Sequence, residues 1–214
     1  MLTLWYGGTF DPVHEGHLAI ARAAAQALGA PVVLAPAADP PHRAAPGANA
    51  RQRLRMLELA TAGDSRLRVD GRELERAGPS WTVDTLHELR AELGPHAPLA
   101  LLLGADSFRS LPTWKSWREL PRLAHFVVAA RESSGELDPL PAELAAEMEG
   151  RWREEPAALH AAPAGCAYRL QHPLRAESAT AVRQAVAAGD PCWRAWVPPA
   201  VAAFIGVQGL YRAG

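Results

Sequence analysis

Lysine is almost absent from this 214-residue chain: Lys115 stands alone among 22 basic residues, and the other 21 are arginine. A phosphate-binding loop built on Gly-Lys-Ser/Thr is therefore excluded. Excess charge is lacking too. The net charge is −1 and the isoelectric point about 6.7, so the chain has no basic field of the kind a nucleic-acid surface needs, and small ligands are favoured over polymers. Only two cysteines occur, Cys166 and Cys192; they form neither a metal spacing nor a disulfide framework, which fits a reducing cytosol. No stretch approaches the ~20 apolar residues of a membrane span. The chain opens on Leu2, Leu4, Trp5 and Tyr6 without the charged and apolar regions of a signal peptide. These absences lead us to expect a soluble cytoplasmic protein without nucleic-acid or membrane partners.

What is present is organised around Tyr6 to Leu18, Y-G-G-T-F-D-P-V-H-E-G-H-L. An apolar run enters the glycine pair Gly7 and Gly8, and an Ala/Leu segment of strong helix formers leaves His17 and stops at Gly29. The pattern predicts strand, tight loop, helix. Gly7 and Gly8 allow a ligand to lie against the main chain, and the first helical turn offers N–H groups and a positive dipole end suited to phosphate. His14 and His17, at i and i+3, can face one ligand. An imidazole that donates a hydrogen bond, or carries charge near neutral pH, fits the charge that builds on phosphate oxygens during transfer. A metal pair would need a third ligand at recognisable spacing, and none is evident; a capping or core role suits a lone histidine better than this pair.

Further along, P-V-V-L-A (31–35) reads as a second parallel strand, followed by the proline-stiffened loop P-A-A-D-P-P-H-R (36–43). Loops at the carboxyl edge of such a sheet bind ligands, which makes His42 and Arg43 candidate phosphate contacts. Asn49 is placed to cap a helix to Ala62, with Leu54, Leu57 and Thr61 on one face and Arg51, Arg53 and Arg55 as a solvated one. A strand is predicted over Leu67–Leu74. Ser80 is expected to cap a helix ending at Gly94, with Trp81 and Thr82 at its start. Pro98–Asp106 is apolar on both faces, as a central parallel strand must be, and Gly104 and Asp106 close it at the ligand edge. There a carboxylate can bond ribose hydroxyls or bind Mg2+ through water. Trp114 follows near the mouth of the site. His125–Arg131 is read as another strand, with Arg131 at its ligand end. Residues 132–165, rich in Pro, Glu, Ala and Arg, read as a surface excursion with a helix between Ala142 and Trp152, and Ala167–Leu170 as a last strand. Ser178, Thr180 and Arg183 open a helix and form a second phosphate site. A short apolar helix then packs back on the domain.

The fold class this implies is α/β, a Rossmann-like doubly wound parallel sheet with a small helical C-terminal part. It forms one domain with a core over about 1–131, a variable excursion over about 132–165 and the helical part over about 174–214.

The stretch G-G-T-F-D-P-V-H-E-G-H at 7–17 resembles the signature of nucleotidyltransferases that share an H-x-G-H element with class I aminoacyl-tRNA synthetases. With P-P-H-R (40–43), G-P-S-W-T (78–82), L-L-G-A-D-S (102–107), L-P-T-W (111–114), S-A-T-A-V-R (178–183) and Q-G-L-Y-R (208–212), the chain is similar over nearly its whole length to bacterial nicotinate mononucleotide adenylyltransferases. The resemblance implies that Gly8, Thr9 and Phe10 meet both substrates and that His14 and His17 bind ATP phosphates. Ser178, Thr180 and Arg183 then replace the lysine-rich loop of the synthetases, Thr82 and Trp114 hold the nicotinate ring, and Asp106 contacts nucleotide. Gly104 joins the ATP side; His42, Arg43, Trp81 and Arg131 join the nicotinate mononucleotide side. The chain departs from the family pattern at Trp81, usually Tyr, and at Glu177, Glu132 and the Ala37–Ala38 pair.

The reaction implied is adenylyl transfer from ATP to nicotinate mononucleotide, giving deamido-NAD and pyrophosphate. Mg2+ is carried on the polyphosphate, not bound directly by protein, and His14, His17 and Arg183 meet the transition-state charge. Pantetheine-phosphate adenylyltransferase shares H-x-G-H but lacks the G-P-S-W-T and L-P-T-W segments; a non-catalytic nucleotide-binding regulator is the alternative from another class. The sequence leaves open whether the chain acts as a homo-oligomer, and whether it prefers the acid or the amide mononucleotide.

Overall fold

Short runs of Leu, Val and Ala without polar alternation cannot face water on either side, so they must be stacked under helices on both faces. The computed structural model, which describes residues 1–38, 47–76, 78, 80–130, 137, 139–171 and 177–212, shows that arrangement. In chain order its elements are β1 (Thr3–Gly8), α1 (Glu15–Leu28), β2 (Val32–Pro36), α2 (Ala50–Thr61), β3 (Leu67–Val69), α3 (Arg72–Glu75), α4 (Thr82–Leu93), β4 (Leu99–Gly104), α5 (Ala105–Arg109), α6 (Leu120–Leu123), β5 (His125–Ala130), α7 (Ala142–Met148), β6 (Trp152–Arg153), α8 (Ala158–Ala161), β7 (Ala167–Gln171), α9 (Ala179–Ala187) and α10 (Pro199–Gln208). The strands form one parallel sheet in the order β3-β2-β1-β4-β5-β7-β6. Winding reverses between β1 and β4, so the crevice beyond their carboxyl ends is where a doubly wound sheet receives a ligand. This is the expected fold class.

Alternation along the strands divides the core in two. Leu4 and Tyr6 of β1, with Ala100 and Leu102 of β4, face Leu18, Leu57, Val182 and Ile205. Trp5, Leu101 and Leu103 face the opposite way, onto Leu86, Phe108, Leu120 and Leu144. β4 thus has no polar face, as its sequence demanded. Among the described residues no helix is long and apolar enough to cross a membrane.

Several elements differ from the sequence reading. The strand expected over Leu67–Leu74 stops at Val69, because the Asp70 side chain accepts the Arg72 main-chain N–H at 2.8 Å and turns the chain into α3. Trp81, not Ser80, is the N-cap of α4; the Ser80 hydroxyl instead accepts from Arg76 at 2.8 Å. The helix expected between Ala142 and Trp152 is present as α7, Ala142–Met148, but the edge strand β6 that begins at Trp152 was not expected. Its neighbourhood is more than a surface excursion, since Leu144, Met148 and Leu159 are buried. Most consequential is Arg53, assigned to a solvated face but fully buried. It shares the inward face of α2 with Met56, Leu57 and Ala60, the i, i+3, i+4, i+7 set.

Candidate active site

The loop leaving β1 is built by glycines whose missing side chains make room for aromatic rings. A Cβ at Gly8 would lie 3.0 to 3.3 Å from three ring atoms of Phe10, so that space belongs to Phe10 and not to a ligand. Phe10, at φ 49°, buries its ring edge-on against Tyr6 at 5.5 Å and His17 at 5.0 Å. The Phe10 ring thus takes the space beside Gly8, while the main chain of Gly7, Gly8 and Thr9 stays partly exposed. At Gly16 a Cβ would come within 3.0 Å of two His14 ring atoms, so Gly16 lets that imidazole fold over the first turn of α1. The two imidazoles lie 3.7 Å apart at 34°.

His14 is the N-cap of α1, and its main-chain N–H donates to His17 Nδ1 at 3.3 Å. A ring nitrogen that accepts cannot carry a proton, so neutral His17 holds its proton on Nε2 and presents a donor there. His14 Nδ1 is buried and without a hydrogen-bond partner among the described residues. Burial pushes His14 down to about 4, against the opposing pull of the Glu177 charge. Burial first and His14 second hold His17 well below the usual histidine range. Both rings are therefore neutral at pH 7 without ligand, and of the two roles expected of an imidazole, hydrogen-bond donor or charge, the free protein is set up for the first. The Glu15 N–H is already spent on the Trp196 carbonyl at 2.8 Å.

Arg183 reaches this loop from α9. Its Nη1 donates to the Asp11 carbonyl at 2.6 Å and its Nη2 to Thr180 Oγ1 at 3.3 Å. Ser178 is the N-cap of α9 and accepts the Ala181 N–H at 3.1 Å. The Glu177 carbonyl lies 3.5 Å from the point a Gly16 Cβ would occupy. The starts of α1 and α9 are thus side by side, so the two places where phosphate was expected adjoin each other. Glu177 is not turned away from that site.

Two buried groups that the sequence reading passed over hold the loop in place. The Asp11 carboxylate accepts from the main-chain N–H of Gly47 at 2.8 Å, that of Ala48 at 3.0 Å and the Tyr211 hydroxyl at 2.7 Å. Arg53 Nη1 donates to the carbonyls of Thr9 at 3.0 Å and Ala37 at 2.7 Å, tying the ends of β1 and β2 together. The inward phase of Arg53 with Met56 and Leu57 was the available signal; for Asp11 it was the motif itself.

On the other side of the switch point, Gly104 caps α5 and Asp106 is exposed in its first turn. Trp81 and Thr82 start α4, where Asp84 pairs with Lys115 at 3.1 Å and the Lys115 ammonium lies 5.8 Å from the Trp81 ring. Trp114 Nε1 donates to Ser110 Oγ at 3.2 Å. The Asp84–Lys115 pair thus draws the Trp81–Thr82 and Trp114 segments together, with the only lysine between them. His42, Arg43 and Arg131 lie outside the described residues. Among those described, no group of three or more His, Cys, Asp or Glu gathers that could hold a metal ion.

Comparison with known proteins agrees with this arrangement. Residues 5–185 match the cytidylyltransferase-like family. A Stenotrophomonas maltophilia protein named probable nicotinate-nucleotide adenylyltransferase is 56% identical, covering 99% of this chain and 97% of its own length. One from Cronobacter sakazakii with the same name is 42% identical over 99% of this chain and 96% of its own. A solved structure of Plasmodium falciparum nicotinic acid mononucleotide adenylyltransferase complexed with NaAD superposes with a TM-score of 0.70 at 16% identity, covering 98% of this chain and 97% of that one. A second structure of that protein, complexed with APC, gives 0.68. A relative of this identity and coverage shares more than a fold, and the chain belongs to the cytidylyltransferase-like family, within its nicotinate-nucleotide adenylyltransferases.

Proposed function

We propose that the protein transfers the adenylyl group of ATP to nicotinate mononucleotide, yielding nicotinate adenine dinucleotide and pyrophosphate, a step of NAD biosynthesis carried out in the cytoplasm. The observation that carries this reading is the convergence of His14, His17 and Arg183 on one loop at the sheet's switch point. A phosphate oxygen of the mononucleotide attacks the α-phosphorus of ATP in line, a new P–O bond forms, and the bond to the bridging oxygen breaks with its electron pair leaving on pyrophosphate. The nucleophile is already an anion, so no general base is needed; positioning and neutralisation of charge do the work. His17 supplies its Nε2–H, and Arg183 supplies the N–H groups not given to Asp11 and Thr180. A polyphosphate placed against the imidazoles favours their charged forms and so opposes the lowering that burial imposes.

ATP is assigned to Gly8, Thr9 and the Phe10 backbone, to Gly104 and Asp106, and to Ser178, Thr180 and Arg183. Nicotinate mononucleotide is assigned to Trp81, Thr82 and Trp114, with His42, Arg43 and Arg131. Mg2+ enters as part of the ATP substrate: the carboxylate of the loop itself, Asp11, is already taken by three donors. Main-chain N–H groups at Trp81 and Thr82 would meet the nicotinate carboxylate. The test is pyrophosphate release from ATP and Mg2+ with nicotinate mononucleotide, nicotinamide mononucleotide and phosphopantetheine in parallel. Release is expected with the first, at a higher kcat/KM than with the second. Release with phosphopantetheine alone would overturn the substrate, and release with none would point to a nucleotide-binding regulator.

A further inference from the structure

The C-terminal segment Q-G-L-Y-R carries no residue assigned to a substrate, yet its tyrosine ends against the Asp11 loop. Tyr211 holds a left-handed backbone at φ 63°, which an aromatic residue adopts only where its surroundings impose it. Its ring fills the space over Gly47, where a Cβ would lie 2.9 Å from two ring carbons. Its hydroxyl donates to Asp11 Oδ1 at 2.7 Å. Burial first, and Asp11 next, push the phenol far above its usual range, so it remains a donor at every working pH.

Asp11 is the shared partner. Its two carboxylate oxygens take Tyr211, Gly47 and Ala48, which leaves the residue little freedom to rotate. Its carbonyl then accepts Arg183 Nη1 at 2.6 Å, and its Oδ2 lies 3.8 Å from the same nitrogen. Arginine is long and loses much rotamer freedom when fixed. Here its guanidinium is fixed at two atoms, by Asp11 and Thr180, while about a third of the side chain stays exposed to a ligand.

We propose that Tyr211, acting through Asp11, is a positioning residue for Arg183: it sets the guanidinium where charge develops on the transferring phosphate. The inference rests on the adenylyl transfer proposed above. Tyr211 touches no substrate; its contribution is to hold Asp11 while the Asp11 carbonyl orients Arg183. Removing the hydroxyl alone should therefore weaken an interaction made in the transition state more than one made in binding nicotinate mononucleotide.

The experiment is a double-mutant cycle between Tyr211→Phe and Arg183→Gln, read by single-turnover pyrophosphate release with enzyme in excess and by ATP affinity in calorimetry. Tyr211→Phe keeps the ring over Gly47, so the fold is retained. In the wild-type background we expect about a tenfold fall in the rate of transfer, with KM for nicotinate mononucleotide within about twofold. In the Arg183→Gln background the same change should have almost no effect, because the group being positioned is gone. Equal slowing in both backgrounds would overturn the inference and leave Tyr211 a purely structural residue, as would an unchanged rate for Tyr211→Phe alone. Should the unaltered protein show no transfer, the proposed reaction fails, and the ATP-affinity cycle still decides the coupling: Tyr211→Phe must weaken ATP with Arg183 present and not without it.

Discussion

Replacing Arg53 should unfasten the site without touching a catalytic group. The side chain is fully buried, and one of its nitrogens donates to the carbonyls of Thr9 at 3.0 Å and Ala37 at 2.7 Å, the two loops that leave β1 and β2. Hydrogen bonds from a charged donor are each worth roughly 1.5–3 kcal/mol net, and a carbonyl left buried without a partner carries its own penalty of about 1–3 kcal/mol. Methionine is shorter than arginine by two atoms but keeps an unbranched apolar stem, and the burial it regains offsets part of the loss. We therefore expect Arg53→Met to destabilise the protein by about 3 kcal/mol. A domain of this size loses about 2–4 °C of Tm per kcal/mol, so the midpoint should fall by roughly 6–12 °C. Arg53→Lys keeps a charge but not the planar fork, and should fall about halfway. Urea unfolding is the assay, with the midpoint shifted and the slope m unchanged. A stability for Arg53→Met within about 0.5 kcal/mol of wild type would refute the assignment of Arg53 as the tie between the two loops.

The remaining predictions concern the loop itself. His14 has a folded pKa of about 4 against 6.5 unfolded, so the native state binds fewer protons; its full stability is present above about pH 6.5 and is lost as pH falls toward about 4. That displacement corresponds to roughly 3 kcal/mol over the whole window and to about 2 kcal/mol by pH 5. The stability of wild type relative to His14→Gln, measured by urea unfolding, should fall by about 2 kcal/mol between about pH 7.5 and about pH 5, and a pH-independent difference would sink the reading. Gly16→Ala should cut activity by about tenfold while changing stability by less than about 1 kcal/mol, because alanine favours the helix while its Cβ displaces only the His14 ring; a fully active variant would refute it. Gly8→Ala should cost about 1–3 kcal/mol through collision with the Phe10 ring, and Gly8→Ala/Phe10→Leu should recover part of it in thermal unfolding. His17→Ala should lower kcat by about 10²–10³ with weaker ATP binding, and a rate within a few-fold of wild type would remove His17 from the chemistry.

The sheet was readable because its strands are short apolar runs with no polar interruption: β4 has nowhere to be but the centre. The loop after β1 was readable from its glycines and paired histidines. What could not be read was which way a group faces once the chain is folded. Arg53 looked solvated because arginine normally is, and only the neighbours at i+3, i+4 and i+7 gave away its inward phase. The histidines could be read as donors or as charges because their unperturbed pKa is near neutral, whereas the packing of Phe10 and Tyr6 on His17 depends on a turn that puts Phe10 at φ 49°. Asp70 and Ser80 ended or began elements differently because each side chain had a local partner that propensity alone does not rank. The edge strand β6 was hidden in a segment whose few apolar residues are spaced too widely to show a period.

The hydrogen bond from Tyr211 to Asp11 spans 200 positions of sequence, and this sets an order of events during synthesis. A chain emerging from the ribosome folds from its N-terminal side. Among the described residues the strands of the sheet end at Gln171 and the arginine of the site lies at 183, so both are made before the tyrosine is added. A nascent chain stopped just short of residue 211 thus holds every described strand and both histidines and still lacks the tyrosine that bonds Asp11. Completion of the Asp11 loop thus waits on a residue 200 positions further along the chain.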